Sequence, residues 1–196
     1  TSTSPAMSSV VTTNIVGTQT IMEKPIVETP YVYQTLFKGT TTPNTQVLIS
    51  NTENFEHYLN CKSNAAGVFM DLASDIDYLG KLTNRPVTPG TTLYVRSVDK
   101  IPNPTNFSET VPVLIHYPAP VVESSYDYNQ EITGTAYPNS EVYISDSEGF
   151  DSLVTVITDA SGNFKVPISL LKSLTNYKEN NKLYFKNADT STSPAM

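Results

Sequence analysis

One cysteine, two histidines and two groups of carboxylates are the first places in this chain to look for covalent or metal chemistry. A cysteine beside a histidine would give a thiolate nucleophile. Cys61 has no such neighbour in sequence, and a segment repeated 95 residues later puts Val156 at its position. A site that accepts Cys in one copy and Val in the other reads most simply as a small apolar core position. The competing readings are a reactive thiol or half of an intermolecular disulfide. His57 and His116 have no histidine counterparts and lie in no acid–thiol or acid–hydroxyl motif. A catalytic triad has no support, and the chain is expected not to be an enzyme.

Asp146, Glu148 and Asp151 surround the turn Ser147-Glu148-Gly149, and Asp71, Asp75 and Asp77 form a second group. Carboxylates at such short spacing permit calcium. They match no full calcium loop, however, and the first copy offers only Glu53 and Glu56 at the place of the first group. A solvated turn is the plainer reading. No cofactor is expected, with calcium at Asp146, Glu148 and Asp151 the one weak metal candidate. Tyr126, Tyr128 and Tyr137 would suit a sugar- or protein-binding face if exposed, or the strands and junctions of a β-protein.

Composition narrows the setting. The 196 residues suffice for one large or two ordinary domains. Only 16% are charged, the formal net charge is −7, and the 12 Lys and Arg are scattered. An acidic chain with dispersed cations is a poor ligand for nucleic acid, and no polybasic run addresses an anionic membrane. No nucleic-acid partner and no membrane insertion are expected. A single cysteine excludes an intrachain disulfide. No signal peptide or anchor motif is present, and the chain, which opens on Thr1, reads as a piece of a longer protein.

The chain repeats itself at two scales. Pro25-Ile26-Val27-Glu28 returns as Pro120-Val121-Val122-Glu123. At the same offset of 95, Gly39-Thr40 meets Gly134-Thr135, Pro43-Asn44 meets Pro138-Asn139, and Val47, Ile49 and Ser50 meet Val142, Ile144 and Ser145. Gly67 and Phe69 meet Gly162 and Phe164. A five-residue deletion then brings Leu93-Tyr94 onto Leu183-Tyr184 and Asp99 onto Asp189. At the longer scale, the heptad of residues 1–7 is identical to residues 190–196. Two readings stand: one period of a tandem array, or a duplicated linker. Fixed-period self-similarity is the mark of repeat architectures.

Each copy reads as a series of short strands. A Pro followed by two β-branched residues opens an edge strand. A strand follows over Gln34–Gly39, matched by Gln130–Thr135. Thr42-Pro43-Asn44-Thr45 and Tyr137-Pro138-Asn139-Ser140 form turns, because Pro presets φ and Asn tolerates the left-handed region. Gln46–Ile49 and Glu141–Ile144 are strands by β-branched content. Tyr58–Ser63 pairs by position with Leu153–Thr158. Asp159-Ala160-Ser161-Gly162-Asn163 is a hairpin turn that delivers Phe164 inward. Ile76 with Leu79, and Leu171 with Leu174, have the spacing of one or two helical turns bridging two sheets. Leu93–Ser97 and Thr110–Tyr117 close the first copy. This predicts an all-β protein of two tandem Ig-like β-sandwich modules.

The string Ile132-Thr133-Gly134-Thr135-Ala136-Tyr137-Pro138-Asn139-Ser140-Glu141-Val142-Tyr143-Ile144, followed by Asp159-Ala160-Ser161-Gly162-Asn163-Phe164, resembles the bacterial Ig-like repeats of surface adhesins and biofilm-associated proteins. The first copy shares the pattern at Gly39, Thr40, Pro43, Asn44, Val47, Ile49, Gly67 and Phe69, and departs from it at Asn64, Ala65 and Ala66. The resemblance covers about 170 residues. It implies an extracellular, bacterial cell-surface protein in which such modules serve as a structural stalk that projects or links a binding head. The alternative is that the repeats themselves bind, by homophilic self-association or to a host glycan or protein. In some relatives a Lys–Asn isopeptide bond crosses the sandwich. Lys38, Lys165 and Lys186, with Asn187, are the candidates, although no spacing compels the bond.

The two copies differ at one end. Phe107, Ser108, Val111 and Ile115 close the first copy; Met7, Ser8, Val11 and Ile15 repeat their pattern just after the first heptad. Residues 1–18 therefore read as the last strand of a preceding module plus linker, 19–118 as the first module, and 119–196 as a second module lacking its own last strand. Ser8, Val10, Val11, Thr13 and Ile15 are the expected interaction residues of a donor strand. The expected partners are neighbouring repeats of the same protein, with head-to-tail self-association when the chain stands alone.

Overall fold

The computed structural model describes residues 22–188. The chain forms two related β-units with one helix each; among the described residues the second has no counterpart of the strands Tyr31–Val32 and Val111–His116. In the first, β1 (Ile26–Val27), β3 (Phe37–Thr40) and β6 (Val68–Asp71) make a three-stranded sheet in the order β1-β3-β6. Opposite it lie β2 (Tyr31–Val32), β4 (Gln46–Ser50), β5 (Leu59–Lys62), β7 (Thr92–Val98) and β8 (Val111–His116), in the order β2-β8-β7-β4-β5. Helix α1 (Ala73–Thr83) joins β6 to the second sheet. One core is shared by both sheets: Val27, Phe37 and Phe69 from the first meet Val47, Ile49, Leu93, Val95, Val113 and Ile115 from the second.

The second unit repeats this with β9 (Val121–Val122), β10 (Ile132–Thr135) and β13 (Asn163–Val166) in one sheet. The other sheet holds β11 (Glu141–Ser145), β12 (Leu153–Ile157) and β14 (Tyr184–Asn187), in the order β12-β11-β14. A single helical turn, α2 (Ile168–Leu171), replaces α1. The pairing confirms the alignment residue by residue. Ile49 faces Val95 where Ile144 faces Phe185, and Ser50 faces Tyr94 where Ser145 faces Tyr184. The five-residue deletion therefore falls between the helix and the following strand, where the second unit makes a shorter connection.

Two glycines explain the Gly-Thr and Gly-x-Phe signatures. Gly39 pairs with Phe69, and Gly134 with Phe164, across antiparallel strands. A Cβ on Gly39 would sit 2.5 Å from the Phe69 ring and 2.4 Å from the Ile26 carbonyl; on Gly134 it would sit 2.6 Å from both Phe164 and the Val121 carbonyl. The absent side chain lets the ring lie across the backbone and lets the edge strand close in. Gly67 and Gly162 turn the preceding hairpin at φ 79° and 83°, which a residue with a Cβ rarely adopts.

Short polar side chains hold the turns. Asn64 Oδ1 accepts from the backbone N–H groups of Ala66 and Val68 at 2.9 and 3.0 Å; Asp159 Oδ1 accepts from Ser161 and Asn163 at 2.9 and 2.8 Å. Asn64, where the first copy departs from the sequence pattern, thus makes the same turn. Buried Ser63 and Thr158 donate to the carbonyls of Thr42 and Tyr137 at 2.7 Å and accept from the N–H groups of Thr45 and Ser140. They pin the Pro-Asn turns to the next strand.

Several expected boundaries shift. Gln34 and Asn129 occupy equivalent left-handed turn positions, at φ 65° and 66°, so the strands begin at Phe37 and Ile132 rather than at Gln34 and Gln130. Helix α1 runs for 11 residues, longer than one or two turns. Asp75 in its first turn and Lys81 in its last complement the helix dipole, and Asn84 caps it in the left-handed conformation. Ile76 and Leu79 are its buried positions, as their spacing predicts.

Substituting Gly39→Ala or Gly134→Ala should therefore destabilise the corresponding unit by about 1–3 kcal/mol, because the new methyl group meets backbone as well as ring. Denaturant unfolding followed by hydrogen exchange in each unit checks this. Unchanged stability would mean that the sheets tolerate wider spacing.

Candidate functional site

The residues that invited a chemical reading are placed as follows. Cys61 sits on β5 and packs against the first core; Val156 takes its place on β12 against the second. Burial, and secondarily the neighbouring Asp71 carboxylate, push the Cys61 thiol up to about 12. A thiol held protonated is a poor nucleophile at neutral pH. Burial and the nearby Asp75 push Asp71 up to about 6. His57 lends its backbone carbonyl to the Ser50 hydroxyl at 2.7 Å.

The carboxylates of the second unit serve separate local bonds. Asp146 Oδ2 accepts from the Asn176 N–H, tying the β11–β12 loop to the segment after α2. Asp151 lies beside Ser147, whose hydroxyl also accepts from the Asp151 N–H at 3.2 Å. Among the described residues, no group of three or more His, Cys, Asp or Glu is arranged to hold a metal ion. Lys38 and Lys165 point outward and pair with Glu28 and Glu131, each at 3.2 Å. Lys186 lies 4.3 Å over the Phe150 ring, and the Asn187 amide donates to Ser140 Oγ and the Glu141 carbonyl.

The tyrosines divide. Tyr137 is not part of an exposed face. Its ring meets Tyr33 and Tyr117 of the first unit edge-on, with centroids 5.6 and 5.4 Å away. Burial there raises its phenol above the usual range, with the two neighbouring tyrosines adding to the effect. Tyr128 stacks on Tyr177 at 5.2 Å, and Tyr126 bonds to the Thr133 carbonyl.

The largest difference between the units lies at one sheet edge. In the first, β7 is flanked by β4 and β8, and β8 by β2. In the second, β14 is paired only with β11 among the described residues. Leu93 and Val95 are 0% exposed, whereas their counterparts Leu183 and Phe185 are only partly buried. Tyr31 stands in β2, parallel to β8; its counterpart Tyr126 forms no strand. Along this edge runs a groove of about 700 Å³ lined by Tyr126, Ile132, Tyr177, Leu183, Tyr184 and Phe185. The sequence reading named the donor residues Ser8, Val10, Val11, Thr13 and Ile15, which lie outside the described residues. The expectation assigns that strand to the second module without naming residues there.

A pH prediction follows from Asp71. Its carboxyl binds its proton more tightly in the folded state, at about 6 against an ordinary 3.8. The associated stability is present in full below the ordinary value and lost as pH rises through 6. Asp71→Asn should raise the thermal midpoint at pH 7.5, and the gap should close by pH 4. Parallel melting curves of the two proteins test this, and a constant gap would contradict it.

No family model matches the sequence, and no curated protein does at a significant level. Among solved structures, one similar chain is the BSP domain of a biofilm-associated protein, at 18% identity and a TM-score of 0.32, covering 89% of this chain and 30% of that one. Another is a tetra-tandem repeat in the extending region of a large adhesion protein, at 20% identity and a TM-score of 0.27, covering 83% and 47% respectively. This chain spans less than half the length of either.

Proposed function

We propose that this chain is a length of a repetitive stalk on a bacterial cell surface, in which Ig-like β-sandwich units are set in fixed orientation to hold a binding head away from the cell. The reading rests on the junction between the units. Tyr137, in the turn between β10 and β11, is held between Tyr33 and Tyr117 at the end of the first unit where β8 exits. The connecting segment Tyr117-Pro118-Ala119-Pro120 contains two prolines and is short, which restricts hinge motion. The equivalent turn of the first unit receives the incoming chain in the same place, through the Thr42 hydroxyl and Glu23 at 3.0 Å. The Thr42 turn and the Tyr137 turn thus both lie where the chain enters their unit, a placement that suits a linear array.

The sequence pattern supports the setting. Gly-Thr, Pro-Asn and Gly-x-Phe recur in both units with the spacing of bacterial surface repeats, and each has a structural role here. The chemistry of Cys61, its thiol pushed up by burial and packed against the core, fits a structural role better than a catalytic one.

Small-angle scattering tests the rod. At low concentration the chain should give the profile of two units in one fixed orientation. Tyr137→Ala should broaden the distribution of inter-unit distances and cost at most about 1.5 kcal/mol for each lost ring pair. An unaltered profile in the variant, or freely reorienting units in the parent chain, would remove the mechanical basis of the proposal.

A further inference from the structure

We infer that the outer edge of β12 pairs with the β12 edge of a second copy of this chain, antiparallel and two-fold symmetric, so that two second units share one continuous sheet. The inference concerns contacts between copies and does not depend on the stalk reading.

The position of β12 follows from its sheet. In the order β12-β11-β14 it is an outermost strand, as β5 is in β2-β8-β7-β4-β5. Among the described residues each pairs with one neighbour only, β12 with β11 and β5 with β4. Both units thus leave the same side of the sheet unpaired there, the side away from β14 and β7.

The phase of the hydrogen bonds fixes which groups face that side. The Thr158 N–H donates to the Ser140 carbonyl at 2.9 Å. Bonded and non-bonded residues alternate along an antiparallel pair. Val154 and Val156 therefore bond to β11, and Leu153, Thr155 and Ile157 turn their N–H and C=O groups outward. In the first unit the bond from the Ser63 N–H to the Thr45 carbonyl, also 2.9 Å, sets the same phase and turns Asn60 and Lys62 outward.

The two edges differ in what they carry. Natural edge strands are kept apart by charge, Lys above all, by proline or by a bulge. The edge of β5 has Asn60 and Lys62, both exposed. At the offset of 95, β12 has Thr155 and Ile157. From Ser152 to Thr158 there are seven residues without charge, proline or glycine. Ile157 is 70% exposed and Leu153 39%. Val154 and Val156 pack against the second core but are only partly buried. A strand of this composition with free bonding groups is a template for another strand.

The best match for this strand is itself. Centred on Thr155 opposite the partner's Thr155, the antiparallel register sets Leu153 against the partner's Ile157 on the outer face. On the core side it sets Val154 against the partner's Val156. Each pair occurs twice, and pairs of this kind are favourable when directly opposite. Thr155 bonds outward, so the backbone phase is right for a bonded pair at the centre. The edge of β5 fits less well: the register that joins its Lys62 to Asp151 puts Asn60 opposite Leu153 and brings Glu56 to Ile157.

One contact opposes the two-fold register, Asp151 facing the partner's Asp159. Each carboxylate is engaged by its own turn. Asp159 Oδ1 accepts from the Ser161 and Asn163 N–H groups, and Asp151 Oδ2 accepts from the Ser147 hydroxyl at 3.4 Å. Salt screens the remaining repulsion, so the association strengthens as ionic strength rises. Both copies use the same surface, and the pairing closes at a dimer.

Sedimentation equilibrium of the full chain across a concentration series, at low and at high salt, tests this alongside two variants. Ile157→Lys gives β12 the cation that β5 carries. Thr155→Pro removes the central outward N–H and leaves the bonds to β11 in place. The parent chain should pass from the monomer mass to twice that mass, with more dimer at high salt. Both variants should remain monomeric over the same range. Ile157→Lys, at a position exposed in the monomer, should keep the melting temperature of the monomeric parent, and it carries the test by itself if the proline unfolds the strand. A parent chain that is monomeric throughout would overturn the proposal. Association that Ile157→Lys leaves unchanged, that weakens with salt, or that grows beyond the dimer would overturn it equally.

Discussion

The close approach of a phenylalanine ring to a glycine backbone is the contact on which both units depend. Phe69 lies across Gly39 and Phe164 across Gly134, and in each case the carbonyl of the edge strand, Ile26 or Val121, closes in beside the ring. This sets how near the three strands of the smaller sheet come together and directs an aromatic side chain into the shared core. Glycine in a strand interior is ordinarily unfavourable, for want of a side chain to pack. Here the ring of the opposite residue supplies the missing packing. The hairpin that delivers that ring needs a left-handed glycine two residues earlier, and that glycine's carbonyl accepts the N–H of Thr41 or Ala136.

Around that contact the chain uses hydroxyls and amides where other proteins use charge. Ser50 and Ser145 are both fully buried, and both donate to a carbonyl seven residues ahead while accepting an N–H two residues ahead. Ser63 and Thr158 repeat the device at the other end of the strand. Such bonds contribute about 1 kcal/mol each when satisfied, and losing one partner costs more than that. They also restrict the loops that join the sheets. A sequence rich in Ser, Thr and Asn and poor in charge is therefore not a sign of weak folding in this molecule: the short polar side chains fix the turns, and the apolar ones fill two thin cores.

The units share this framework and differ at an edge. The first sets five strands against three, and the second three against three among the described residues. An edge unpaired among the described residues, beside partly buried Leu183 and Phe185, is the kind of surface that natural sheets blunt or cover. Tyr126, Tyr177 and Tyr184 share the groove beside it with charged side chains, among them Glu123, Asp127, Glu179 and Lys182. The first unit keeps its equivalent edge closed through β8 and the loop before it, where Asp99 holds Thr105 and Asn106. Those three bonds to one carboxylate, Thr105 foremost, keep Asp99 well below the usual carboxylate range.

Much of this was legible in the residues alone. The two-fold repeat, the five-residue deletion, the inward Phe164, the buried pairs Ile76–Leu79 and Leu171–Leu174, and the core position of Cys61 follow from spacing and periodicity, because these depend on local geometry and on which face of an element a residue occupies. Strand starts at Gln34 and Gln130 were misread because one left-handed residue ends a run that otherwise looks extended. For Tyr137 the residues leave a binding face and a junction both open, because the first unit has Thr42 at that position; its packing against Tyr33 and Tyr117 decides for the junction. The edge of β14 needed the tertiary structure most. Sequence alone determined that the two copies share one order of turns and strands at an offset of 95 residues. Only the packing of the two sheets decided how deeply each strand lies in its core, because burial is a property of what lies on both sides of a strand and not of the strand itself.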